Sequence, residues 1–177
     1  MPIWSWVVIV IAIAVIAVAL VAWLGMRRRR TRELRAGFGP EYDRTVQEYG
    51  DRRRAEEELQ ARKERVERLH IQPLAAEDRQ RFMERWHATQ AQFVDEPGRA
   101  IAEADRLVQE AMAARGYPVG DFDQRAADVS VDHPSVVRDY RQAHTVSLRN
   151  ERGEATTEDL RQAMVHYRSL FDDLLAA

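Results

Sequence analysis

The first 26 residues contain no Asp, Glu, Lys or Arg, and every charged side chain of the 177-residue chain lies from Arg27 onward. Within that stretch Ile3 to Leu24 is free of charge and of proline. As a helix rising 1.5 Å per residue it would be about 33 Å long, against a bilayer hydrocarbon core of about 30 Å. Thirteen of its residues are Ile, Val or Leu, which favours insertion by roughly 5 kcal/mol with no ion opposing it. Trp4 and Trp6 stand at one end and Trp23 at the other, where aromatic rings settle at headgroup level. The pattern predicts one transmembrane helix over residues 1–26, with the lipid bilayer as its partner. A cleaved signal peptide fits poorly: nothing basic precedes the apolar core, and Ala22-Trp23-Leu24-Gly25 runs directly into arginines.

Those arginines predict the orientation. Arg27, Arg28, Arg29, Arg30, Arg32 and Arg35 follow the span and nothing basic precedes it. Basic residues beside a span stay on the cytoplasmic side. The short N-terminus is therefore expected outside, and the C-terminal domain in the cytoplasm. The same side chains are suited to anionic headgroups. No two small residues of the span are four apart, so the close-packing motif of self-associating membrane helices is missing and the segment gives no indication of a homo-oligomer.

Beyond the arginine run the balance reverses. Residues 36–177 hold 21 basic and 28 acidic side chains, a surface ill suited to the phosphates of nucleic acid. There is no cysteine, which excludes disulfides, thiolate metal sites and cysteine nucleophiles.

Helical periodicity accounts for most of this part, and no segment alternates like a strand. Gly37-Phe38-Gly39-Pro40 ends the helix that leaves the membrane, and a short helix starts near Pro40. Asp51 to Leu69 is charged nearly all round, with Ala55, Leu59, Val66 and Leu69 as a thin apolar seam; a solvated connecting helix is expected. Ala76 to Phe93 carries Phe82, Trp86 and Phe93 on one side as core. Asp95-Glu96-Pro97 opens the next helix, and Arg115-Gly116-Tyr117-Pro118 stops it. A short helix is expected around Gln124 to Val129. Asp132-His133-Pro134 looks like a further helix start, leading to a stripe of Val137, Tyr140, His144 and Leu148. The last helix begins at Thr156-Thr157-Glu158-Asp159 and buries Leu160, Met164, Tyr167, Phe171 and Leu174. The fold class expected is all-α: a transmembrane anchor (1–26), a basic collar with charged connecting helices (27–72) and a soluble helical bundle (73–177).

Chemistry is hard to find. His70, His87, His133, His144 and His166 make no metal-ligand spacing. Asp132-His133 beside Ser135 is too close in sequence for a triad, and no serine lies in GxSxG. No cofactor, no metal and no enzymatic activity are expected. The one polar cluster worth naming is Tyr140, His144 and Tyr167, which meet if the last two long helices pack together. His166 lies beside it, and Arg141 or Arg168 would supply a charge for a small anion. A polar contact between core aromatics is the plainer reading.

Arg85-Trp86, Phe93-Val94-Asp95-Glu96-Pro97, Glu103-Ala104-Asp105, Arg115-Gly116-Tyr117-Pro118 and Glu158-Asp159-Leu160-Arg161-Gln162-Ala163-Met164 before Tyr167-Arg168 resemble a family of uncharacterised, mostly actinobacterial, single-pass membrane-anchored or "secreted" helical proteins. The likeness covers roughly residues 76–175. It implies a bacterial inner-membrane setting and no mechanism. The expectation is a membrane-tethered, non-enzymatic module that docks a protein partner at the cytoplasmic face. A helical sensor for a small anion or a lipid headgroup is the alternative.

Overall fold

The computed structural model describes the backbone of residues 3–176 and the side chains of residues 15–23 and 25–176. Among the described residues the chain forms helices and no strand. They run in the order α1 (Ile3–Phe38), α2 (Pro40–Tyr49), α3 (Arg52–Val66), α4 (Ala76–Gln92), α5 (Pro97–Arg115), α6 (Phe122–Asp132), α7 (Val137–Glu151) and α8 (Thr157–Ala176).

The boundaries follow local chemistry. α2 and α5 both begin at a proline, whose missing N–H would have no helical partner there. Both end on a left-handed glycine, Gly50 and Gly116. Asp51 and Asp121 cap α3 and α6 by accepting from the backbone N–H of Arg53 and Gln124. At the start of α8 the Thr156 hydroxyl accepts from Asp159 N–H, while the Asp159 carboxylate accepts from Thr156 N–H, a reciprocal capping box.

Two apolar cores result. The larger is built on α5, α7 and α8, with α4 laid across one side. Trp86 of α4 stacks on Phe171 of α8 at 4.5 Å, and Phe82 meets the same ring edge-on. The smaller joins the tail of α1 to α2 and α3 through Leu34, Phe38, Tyr42 and Leu59.

Several expectations need correction. α3 is no solvated connector: Ala55, Leu59 and Val66 are buried and face α2 and α6. Its seam is thin because the elements it covers are short. Leu148 is exposed, and Ala143 and Ser147 take the buried positions of α7. His133 stands at a boundary shared by two helices: its carbonyl accepts from the N–H groups of Val136 and Val137 in the turn that enters α7, three residues later than expected. The same residue caps the C-terminus of α6, donating its backbone N–H to Val129, because α6 extends past its expected end at Val129.

Among the described residues, no helix is long and apolar enough to cross a membrane. Trp4, Trp6 and the other side chains of residues 3–14, with Leu24, lie outside the described ones. Only Val15–Trp23 of the expected span can be weighed. Those nine residues would extend about 14 Å, less than half a hydrocarbon core.

Candidate functional site

The path of the chain after the apolar stretch brings two arginine runs to one place. α1 continues unbroken through Arg27–Arg35 and turns at Gly39, whose φ of +49° favours glycine. α2 folds back along it, pairing Arg35 with Asp43 across the turn. α3 then runs parallel to α1. Its first turns lie beside Trp23 to Arg32, and Gln60 and Lys63 lie beside Leu34 to Phe38. Arg53 is thereby returned to the level of Trp23, and Arg52 to that of Arg28 and Arg32.

Glu56 fixes this register. One of its oxygens accepts from the Thr31 hydroxyl of α1 at 2.8 Å, from the Tyr42 hydroxyl of α2 at 2.8 Å, and from Arg52 at 3.2 Å. Burial works to raise the Glu56 pKa, and these donors outweigh it, holding the carboxyl below its ordinary value. Burial and the same carboxylate push the Tyr42 phenol up.

Two clefts open on either side of Glu56. One, of about 370 Å³, is lined by Arg27, Arg28, Thr31, Arg32, Arg52 and Glu56. It gathers four guanidinium groups around a single carboxylate. The other, of about 430 Å³, places Trp23, Met26, Arg27 and Arg30 against Arg53, Glu56 and Glu57. Arg27 stands 5.5 Å from the centre of the Trp23 ring, within cation–π range. The remaining collar residues are balanced, Arg29 by Glu33 and Arg35 by Asp43. Among the described residues Arg27, Arg28, Arg30 and Arg32 have no ion-pair partner.

The second group of candidate residues converges only in part. Tyr140 and Tyr167 are fully buried and meet edge to face at 6.2 Å. Their centre is an acid that sequence reasoning did not name. Asp105 of α5 accepts from the Tyr167 hydroxyl at 2.9 Å and from Gln109 at 2.6 Å. His144 lies flat on Phe122, and its Nδ1 stands 3.8 Å from Asp105, beyond hydrogen-bond length. Arg168 takes no part, being exposed and paired with Asp172. His166 faces Asp139, and Arg141 turns to Glu41 of α2.

The guanidinium of this cluster comes from buried Arg125, which donates to the Tyr140 hydroxyl at 2.8 Å and to the Gly120 carbonyl at 3.1 Å. Burial raises Tyr140 to about 12 and raises Tyr167 as well. Burial also works to raise Asp105, but His144 and Tyr167 beside it hold the carboxyl below its usual value. With a carboxylate at its centre and its arginine already bound, the cluster is a packed polar contact between helices. The Glu103-Ala104-Asp105 phrase contained the missing acid, but no local spacing linked it to residues 62 positions away.

A third cluster lies at the end of α8. His133 contacts Asp173 through Nδ1 at 2.6 Å and Arg115 through Nε2 at 3.2 Å. A guanidinium can only donate, so Nε2 accepts and the Nδ1–H donates to Asp173. Arg115 also donates to the carbonyl of Leu174, so the trio ties the end of α8 to α5 and α6. No nucleophile stands at Nε2. Among the described residues no three His, Asp or Glu side chains converge in a way that could hold a metal ion.

No family model, curated protein or solved structure matches this chain.

Proposed function

We propose that the chain is a membrane-tethered, non-enzymatic helical interaction module, held by α1 and presenting its bundle at the cytoplasmic face of a bacterial inner membrane, where it docks a protein partner. One observation carries the reading. Val15, Ile16, Val18, Leu20, Val21 and Trp23 point to all sides of α1, and each is more than half exposed. A helix apolar all round that no other element covers has an apolar surrounding as its natural solvent. The uncharged residues before it extend the same stretch to 22 positions, and the arginines after it supply the cytoplasmic anchor.

Reporters active on only one side of the membrane, fused after Ala177, test the reading. A membrane-bound, cytoplasmic signal is expected. An external signal would overturn the orientation, and a reporter recovered free of the membrane would overturn the tether.

A further inference from the structure

We infer that the cleft between α1 and the start of α3 is a binding site for the phosphate of an anionic membrane lipid, built from Arg27, Arg28 and Arg32 of the collar with Arg52 returned by the fold. The inference rests on the tethered reading and goes beyond it. A collar that only sets topology needs basic residues near the span, and their arrangement is immaterial. Here four guanidiniums face one cleft of about 370 Å³ whose single acid, Glu56, is already engaged by Thr31, Tyr42 and Arg52. Arg27, Arg28 and Arg32 are without counterions among the described residues, although the chain as a whole carries more acid than base. Nearby Arg29 and Arg53 have theirs in Glu33 and Glu57. The cleft opens at Arg27–Arg32, within the first two turns past the apolar stretch. A lipid phosphate would lie at that level if α1 spans the bilayer. Guanidinium forks suit phosphate oxygens in paired hydrogen bonds.

The test reconstitutes the full chain in phosphatidylcholine vesicles and compares spin-labelled phosphatidylglycerol with spin-labelled phosphatidylcholine. The motionally restricted fraction of each lipid reports its residence on the protein. Phosphatidylglycerol is expected to be preferred by about fivefold or more, the ratio one arginine contributes at an anionic surface. The double variant Arg28→Gln/Arg32→Gln and the single variant Arg52→Gln should each lower that preference by about threefold or more. Arg29→Gln/Arg54→Gln removes as much charge as the first variant from residues that do not line the cleft, and should leave the preference unchanged. Arg28, Arg29, Arg32 and Arg54 are exposed and make no hydrogen bond outside their own helix, so folding does not confound the two double variants. Because Arg52 bonds Tyr42 and Glu56, its variant is compared at unchanged amide exchange across residues 52–66, which shows that α3 keeps its register.

Equal losses in the two double variants would reduce the site to a diffuse basic ring and overturn the inference. So would an unchanged preference in Arg52→Gln. Replacing chloride by inorganic phosphate at equal ionic strength is expected to change nothing. Collapse of the preference there would assign the cleft to free phosphate instead of lipid. Restricted phosphatidylcholine without any phosphatidylglycerol preference would sink this site and leave the tether standing. If neither lipid is restricted, the tether fails and the site with it.

Discussion

Asp105 shows how one side chain turns a pair of core tyrosines into an oriented contact. Its carboxylate receives Tyr167 and Gln109, and Gln109 in turn reaches Arg125, which holds Tyr140. An Asn side chain there keeps one oxygen for the Tyr167 hydroxyl but turns its NH2 group toward the Gln109 amide donor, leaving that donor unpaired, a loss of about 1–3 kcal/mol. Asp105→Asn is expected to lower the unfolding free energy in urea by that amount at neutral pH. The pH dependence follows from the depressed folded-state pKa. The carboxylate's contribution is fully present above the unfolded value of about 3.9 and is lost as pH falls through the folded one. The gap between wild type and Asp105→Asn should therefore narrow on acidification below about pH 4. A gap that stays constant or widens there would contradict the assignment.

At the scale of elements, α3 decides whether residues 27–66 are a linker or a structure. Its charged faces read as solvated, yet Leu59 is fully buried against Leu34, Phe38 and Tyr42. A core this small has few groups able to close over a cavity, so Leu59→Ala should cost about 2–5 kcal/mol locally. Because these contacts bring Arg52 to the collar, α3 should detach from α1 in that variant. Amide hydrogen exchange is expected to rise across residues 52–66 while α5 and α8 stay protected. Uniform protection would show that α3 does not depend on this core.

For the whole molecule, the question is how the basic end is held to the bundle. Glu41 of α2 is buried beneath three arginines: Arg44 of its own helix, Arg62 of α3 and Arg141 of α7, at 2.9–3.2 Å. Burial lowers the Arg141 pKa, and the attraction of Glu41 only partly offsets that. Arg65 of α3 adds a second tie to buried Asp128 of α6 at 2.7 Å. Deleting the shared acid leaves buried guanidiniums facing one another. Glu41→Ala should therefore cost about 3–5 kcal/mol, read as a fall in the urea midpoint. A loss below about 1 kcal/mol would mean the cluster is solvated and that Asp128 alone carries the junction.

Local pattern was enough for the elements. Prolines and glycines at Pro40, Pro97 and Gly116, the Thr156–Asp159 box and the aromatic stripe of α4 act within one or two turns, so the helices they bound were legible in the residues themselves, whereas the stop at Gly50 was not. The uncharged first 26 residues determined the tether reading in the same way. What residues 27–66 do was not legible, because the hairpin that lays α3 beside α1 depends on a Leu59–Phe38 contact and on Glu56 meeting Thr31, 25 positions earlier. Asp105 with Tyr167, Arg125 in place of Arg168, and His133 with Asp173 escaped for the same reason. Polar partners are chosen by which helix faces meet, and a helix face carries no address for its neighbour. Tertiary structure alone decided that Arg52 stands beside Arg28.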